Sequence, residues 1–134
     1  MPPRPIVLLA DDDVILRNLF LYILQSLSYA VLVAANGEEA MELSRAFHGE
    51  IILLLTDMDM PQMGGDQLGE LIMKERPGLR ILQISGSTAE SFVGRNLTLA
   101  FLHKPFGPEV LVDKIREVMT AAPGTIKKLT DTNL

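Results

Sequence analysis

The sequence predicts a three-layer α/β domain built on a parallel sheet, and two observations predict it. Five short apolar runs alternate with longer stretches whose apolar residues recur at helical spacing, and connections of that length return each strand parallel to the last. The runs are also rich in branched aliphatic residues, as strands covered on both faces are.

The elements follow in order. Ile6 to Ala10 reads as a buried strand stopped by Asp11-Asp12-Asp13. Ile15, Leu16, Leu19, Phe20, Ile23, Leu24 and Leu27 then mark the inward stripe of a helix, with Asp13 as its N-cap. Ala30 to Ala34 is the second strand. Asn36-Gly37 turns into a helix with Ala40, Leu43 and Phe47 on one face. Ile51 to Thr56 is the third and most apolar strand, ending at Asp57. Pro61 and the Gly64-Gly65 pair make the next loop irregular, before a helix with Leu68, Leu71 and Ile72 inward that stops at Pro77-Gly78. Arg80 to Ile84 is the fourth strand, stopped by Ser85-Gly86-Ser87. The stretch from Thr88 to Thr98 allows at most one short or irregular fourth helix. Leu99 to Leu102 is the fifth strand, and Pro108 opens a last helix with Leu111, Ile115 and Val118 inward. The domain is expected to span residues 6–121, between an N-terminal tail (1–5) and a polar C-terminal tail (122–134).

Composition narrows the function. The 134 residues suit one domain, and the absence of cysteine removes disulfides and thiolate metal sites, which fits a reducing cytoplasm. The opening Met1-Pro2-Pro3-Arg4-Pro5 leads into too short an apolar run for a secretory signal. No stretch nears the roughly 20 apolar residues needed to cross a bilayer, so a soluble cytoplasmic chain without membrane insertion is expected. A net charge of -5, with twelve scattered Lys and Arg, argues against direct nucleic-acid binding.

The informative residues stand just past the strand ends: Asp11-Asp12-Asp13, Asp57, Ser85 and Lys104. In an open parallel sheet these project onto one rim, where ligands bind. Carboxylates converging there repel one another unless a cation neutralises them, and hard oxygen donors suit Mg²⁺. A hydroxyl and an ammonium beside them supply the donor and counter-charge that a developing phosphoryl group needs. Singly, each residue has an ordinary explanation as a cap, a turn or a surface charge. Their joint occurrence, in order, at four strand ends is what carries weight.

These residues resemble the receiver domains of two-component signalling. The resemblance rests on Val7-Leu8-Leu9-Ala10-Asp11-Asp12-Asp13, on Leu55-Thr56-Asp57-Met58-Asp59-Met60-Pro61-Gln62-Met63-Gly64-Gly65, on Ile84-Ser85-Gly86, and on Phe101-Leu102-His103-Lys104-Pro105-Phe106. It covers about Ile6 to Thr120. It implies a flavodoxin-like (βα)5 fold with strand order 2-1-3-4-5. It also implies that Asp57 is the phosphoacceptor, and that Asp11, Asp12, Asp57 and the backbone carbonyl of Asp59 hold Mg²⁺ (or Mn²⁺). Lys104 would pair with Asp57 and then with the phosphoryl oxygens. Ser85 would donate its hydroxyl and, with Phe101, act as the switch, while the backbone amides of Met58 and Gly86 add donors. The phosphodonor would be a histidine kinase or histidine phosphotransfer protein, with output through a downstream protein and a homodimer also open.

Three departures from the family pattern stand out: Gly64 where Asp is common, Phe101 for the commoner Tyr, and a short spacing between Ser85 and Lys104. The last resembles receivers fused to hybrid sensor kinases, so the chain reads either as a stand-alone regulator or as part of such a kinase. Two other readings remain. Asp57-Met58-Asp59 after a strand is also the opening motif of haloacid-dehalogenase-type phosphatases, although those place the acidic pair late and carry a cap. A degenerate receiver kept as a scaffold is the other. His48 and His103 show no metal-ligand spacing in the sequence and are expected to be surface or packing residues, and Met58, Met60, Met63 and Met73 read as packing.

Overall fold

The computed structural model describes residues 3–86 and 100–120. Its elements are β1 (Ile6–Ala10), α1 (Val14–Ser26), β2 (Ala30–Ala34), α2 (Gly37–Ala46), β3 (Leu53–Asp57), α3 (Gly65–Glu75), β4 (Arg80–Ser85), β5 (Ala100–His103) and α4 (Pro108–Thr120). The expected short helix between β4 and β5 and the polar tail at 122–134 lie outside the described residues. All five strands are parallel, in the order β2-β1-β3-β4-β5.

Strand alternation splits the core in two. Val7, Leu9, Leu53, Leu55, Leu82 and Ile84 face α1 and α4, whose Phe20, Ile23, Leu24, Leu111, Ile115 and Val118 close over them. Leu8, Ala10, Leu54 and Ile81 face α2 and α3, with Ala40, Met41, Leu68 and Ile72. Each fully buried Leu or Ile contributes about 1.5–3 kcal/mol, so the sandwich rather than helix propensity fixes the fold. Met60, Met63 and Met73 pack on the second core, as expected of adaptable fillers.

The caps are those the sequence offers. Asp13 Oδ1 accepts from the amides of Ile15 (2.9 Å) and Leu16 (3.2 Å) at the start of α1. Asn36 Oδ1 accepts from the Glu39 amide (2.8 Å), and Glu39 reaches back to the Ala35 amide (3.3 Å). Ser28 follows α1 at φ 70°, the left-handed residue that closes a helix C-terminus. Near the amino ends of β3 and β4, the Arg76 guanidinium after α3 ties down the end of α2. It donates to Ser44 Oγ (2.8 Å) and to the carbonyls of Ser44 (2.8 Å), Phe47 (2.7 Å) and Gly49 (2.9 Å).

Several expectations need correction. β3 begins at Leu53 rather than Ile51, and Asp57 and Ser85 are the last residues of their strands, not the first beyond them. β5, described over Ala100–His103, runs one residue further than expected at its end, and the expected first residue, Leu99, lies outside the described residues. On α1 the inward stripe is Leu16, Phe20, Ile23, Leu24 and Leu27, while Ile15 is 79 % and Leu19 44 % exposed. At about 100° per residue, Ile15 lies roughly 120° and Leu19 roughly 80° around the helix from the centre of that stripe, on its solvent flank. On α2 the buried positions are Gly37, Ala40, Met41 and Ser44, with Leu43 and, just past the helix, Phe47 only partly covered.

Candidate functional site

The carboxyl ends of β1, β3, β4 and β5 bring Asp11 and Asp12, Asp57, Ser85 and Lys104 respectively to the same rim. One ligand oxygen from each of Asp11, Asp12 and Asp57 lies within 4.8 Å of the others. Lys104 Nζ stands 3.8 Å from Asp57 Oδ2. Ser85 ends the neighbouring strand, fully buried, and its carbonyl accepts the Lys104 amide at 2.7 Å. That bond sets the height of Lys104 above the sheet. Phe106 stacks on Phe20 (centroids 6.3 Å apart, planes at 14°), pinning the segment after Lys104 to α1.

The carboxylates are held individually. Asp57 Oδ1 accepts the Asp59 amide (3.0 Å), which leaves Oδ2 towards Lys104. Asp11 Oδ1 accepts the Asp13 amide (2.9 Å), and Arg17 Nη1 donates to the Asp11 carbonyl (3.0 Å). The other oxygen, Asp11 Oδ2, is buried without a hydrogen-bond partner among the described residues. Gly65 lets α3 start directly under this loop, since a Cβ there would come within 2.5 Å of the Asp57 carbonyl.

Electrostatics mark the rim as short of positive charge. Burial lifts the Asp11 carboxyl from 3.8 to about 6; the Asp13 amide and Lys104 pull it down, and Asp57 and Asp12 push it up. Burial also raises Asp57, against the Asp59 amide and Lys104, with Asp59 and Asp12 adding repulsion. Lys104 alone therefore does not compensate three carboxylates. A buried, unpartnered carboxylate oxygen within an all-oxygen donor set fits a hard divalent cation.

Of the other expected residues, Phe101 is buried against Met58, and Gly86 sits exposed beside the stem of Lys104. The Met58 amide, expected to face a phosphoryl group, instead donates to the Ile84 carbonyl (2.8 Å). Asp59 is exposed. Arg17, the support of Asp11, went unnoticed in the sequence, although it is the single charged residue of α1.

A family profile described as "Response regulator receiver domain" matches residues 7–116. The chain belongs to the response-regulator receiver family. As a receiver domain it has a phosphorelay role, and its fold, order 2-1-3-4-5, is the one expected. It is similar to the sensor kinase CckA of Brucella abortus, 33 % identical over 84 % of this chain but 12 % of that protein. It is similar to the response regulator receiver protein CpdR of the same organism, 34 % identical over 87 % of this chain and 98 % of that protein. Among solved structures, the CheX–CheY–BeF3–Mg complex from Borrelia burgdorferi superposes with a TM-score of 0.75 at 25 % identity, covering 87 % of this receiver and 90 % of that chain. The receiver spans about half the length of the transcriptional regulators it matches. Among the described residues, no helix is long and apolar enough to cross a membrane.

Proposed function

We propose that this receiver accepts a phosphoryl group on Asp57 from a histidine kinase or histidine phosphotransfer protein and thereby alters a protein-binding face. The observation that carries the reading is the meeting of three carboxylates with Lys104 at the carboxyl ends of the sheet. Asp11, Asp12, Asp57 and the Asp59 carbonyl would hold Mg²⁺ or Mn²⁺. When bound, that ion supplies charge neutralisation for carboxylates and phosphoryl oxygens alike.

The chain's own groups do the rest. An Asp57 carboxylate oxygen forms the bond to phosphorus as the bond from phosphorus to the donor nitrogen breaks, and the imidazole leaves with a proton from solvent. Lys104 then follows the phosphoryl oxygens, and the Ser85 hydroxyl donates to them. The Gly86 amide joins, as does that of Met58 once it releases Ile84. Ser85 and Phe101 carry the change to the β4–β5 face. The donor must reach Asp57 past α1, along which Val14, Ile15, Leu19 and Tyr22 stand exposed. An apolar stripe at that place suits a helical donor.

The reading makes residues 6–121 the receiver, flanked by tails, acting in the cytoplasm, with a homodimer open to it. It assists its own phosphorylation and dephosphorylation without turning over an external substrate. With Mg²⁺ and a small phosphodonor, intact mass should rise by one phosphoryl group, and Asp57→Asn should abolish the gain. A gain that persists in Asp57→Asn removes Asp57 from the centre of the account.

A further inference from the structure

Gln83 lies in the middle of β4 with no exposure to solvent, and neither its Oε1 nor its Nε2 has a hydrogen-bond partner among the described residues. An unpaired buried amide is costly in a dry interior, and such groups in native folds call for an explanation. Alternation places Leu82 and Ile84 in the core under α1 and α4. Gln83 therefore shares the opposite face with Ile81 and Ser85. Strand register puts Thr56 beside it on β3 and Phe101 beside it on β5. It thus neighbours the residue preceding Asp57 and stands two positions, about 6–7 Å, below Ser85. The Thr56 hydroxyl donates to the adjacent Asp57 carbonyl at 3.1 Å, its one side-chain hydrogen bond among the described residues.

We infer that Gln83 is a positioning residue whose amide has no partner among the described residues of the unphosphorylated domain and gains the Thr56 and Ser85 hydroxyls as partners when Asp57 carries a phosphoryl group. The inference rests on the receiver reading above. A phosphoryl group brings nearly two negative charges and three acceptor oxygens to the ends of β3 and β4. In the unphosphorylated domain those ends are tied by the Met58–Ile84 hydrogen bond, and its release towards the phosphoryl group is the displacement that reaches β4. A shift there passes to the Thr56–Gln83 pair directly beneath. Because the unpaired groups belong to the unphosphorylated state, their pairing biases the domain towards the phosphorylated one.

The test uses Gln83→Met, which keeps the volume, and Gln83→Leu. Each is melted without ligand and then titrated with beryllofluoride in the presence of Mg²⁺. Both variants should melt above the wild type and bind this phosphoryl mimic about tenfold more weakly, the effect expected of about one buried hydrogen bond. Wild-type affinity in both variants, or a lower melting point in both, overturns the role of Gln83. Failure of the wild type to bind the mimic is a different result: it overturns the receiver reading on which the inference stands.

Discussion

Asp11 gives the site a pH signature that depends on whether a cation is bound. In the metal-free protein its carboxyl is lifted from 3.8 to about 6, chiefly by burial. A carboxyl raised on folding makes the folded state bind protons more tightly than the unfolded one. Stability is then fullest below the unfolded value and is lost as pH rises through about 6. A shift of roughly two units corresponds to about 3 kcal/mol. Asp57, also raised, works in the same direction. The exposed Arg45–Glu75 pair favours the opposite trend, but solvent screens it. Urea denaturation at several pH values between about 4.5 and 7.5, with chelator present, should therefore show stability falling as pH rises. Asp11→Asn should flatten the fall. Mg²⁺ should restore stability at neutral pH, by about 2.7 kcal/mol at a hundredfold excess over its dissociation constant. Stability that climbs through this window without metal, or an Asp11→Asn variant with the wild-type slope, would refute the reasoning.

Three further outcomes are expected. Arg76→Met removes four hydrogen bonds to Ser44, Phe47 and Gly49, and should lower unfolding free energy by about 2–4 kcal/mol; a near-wild-type urea midpoint would show the clip to be idle. Ser28→Gly relieves a left-handed backbone at φ 70°, and should raise stability by about 1 kcal/mol, which thermal melts can resolve. Ile15→Asp, on the exposed side of α1, should leave melting unchanged and slow phosphoryl transfer from a histidine donor without slowing that from a small phosphodonor. Equal slowing of both would remove the docking role.

What the sequence made legible follows from what each residue needs. Every described strand and helix was expected, because continuous aliphatic runs and stripes such as Leu111, Ile115 and Val118 have one way to be buried. Asp11, Asp12, Asp57, Ser85 and Lys104 were expected on one rim because strand ends in a parallel sheet gather there, and that is where they lie. The misplacements have local causes. Asp57 and Ser85 remain paired inside the ladder, which chemistry alone does not predict. Ile15 and Leu19 were read as core since apolar spacing does not say how wide an arc the sheet covers. The Met58 amide bond to Ile84, the Arg17 support of Asp11 and the Arg76 clip depend on contacts between residues distant in sequence or on backbone geometry. No local pattern encodes them. Gln83 was passed over because a glutamine inside an apolar strand looks like a mere interruption.

The most direct measurement locates the phosphoryl group. After exposure to a small phosphodonor with Mg²⁺, reduction by borohydride and peptide mass mapping should place the modification at residue 57 alone, and chelation of the metal should prevent it. Modification at Asp59, His48 or His103, or labelling indifferent to chelator, would contradict an Asp57 carboxylate working beside a cation held by Asp11 and Asp12.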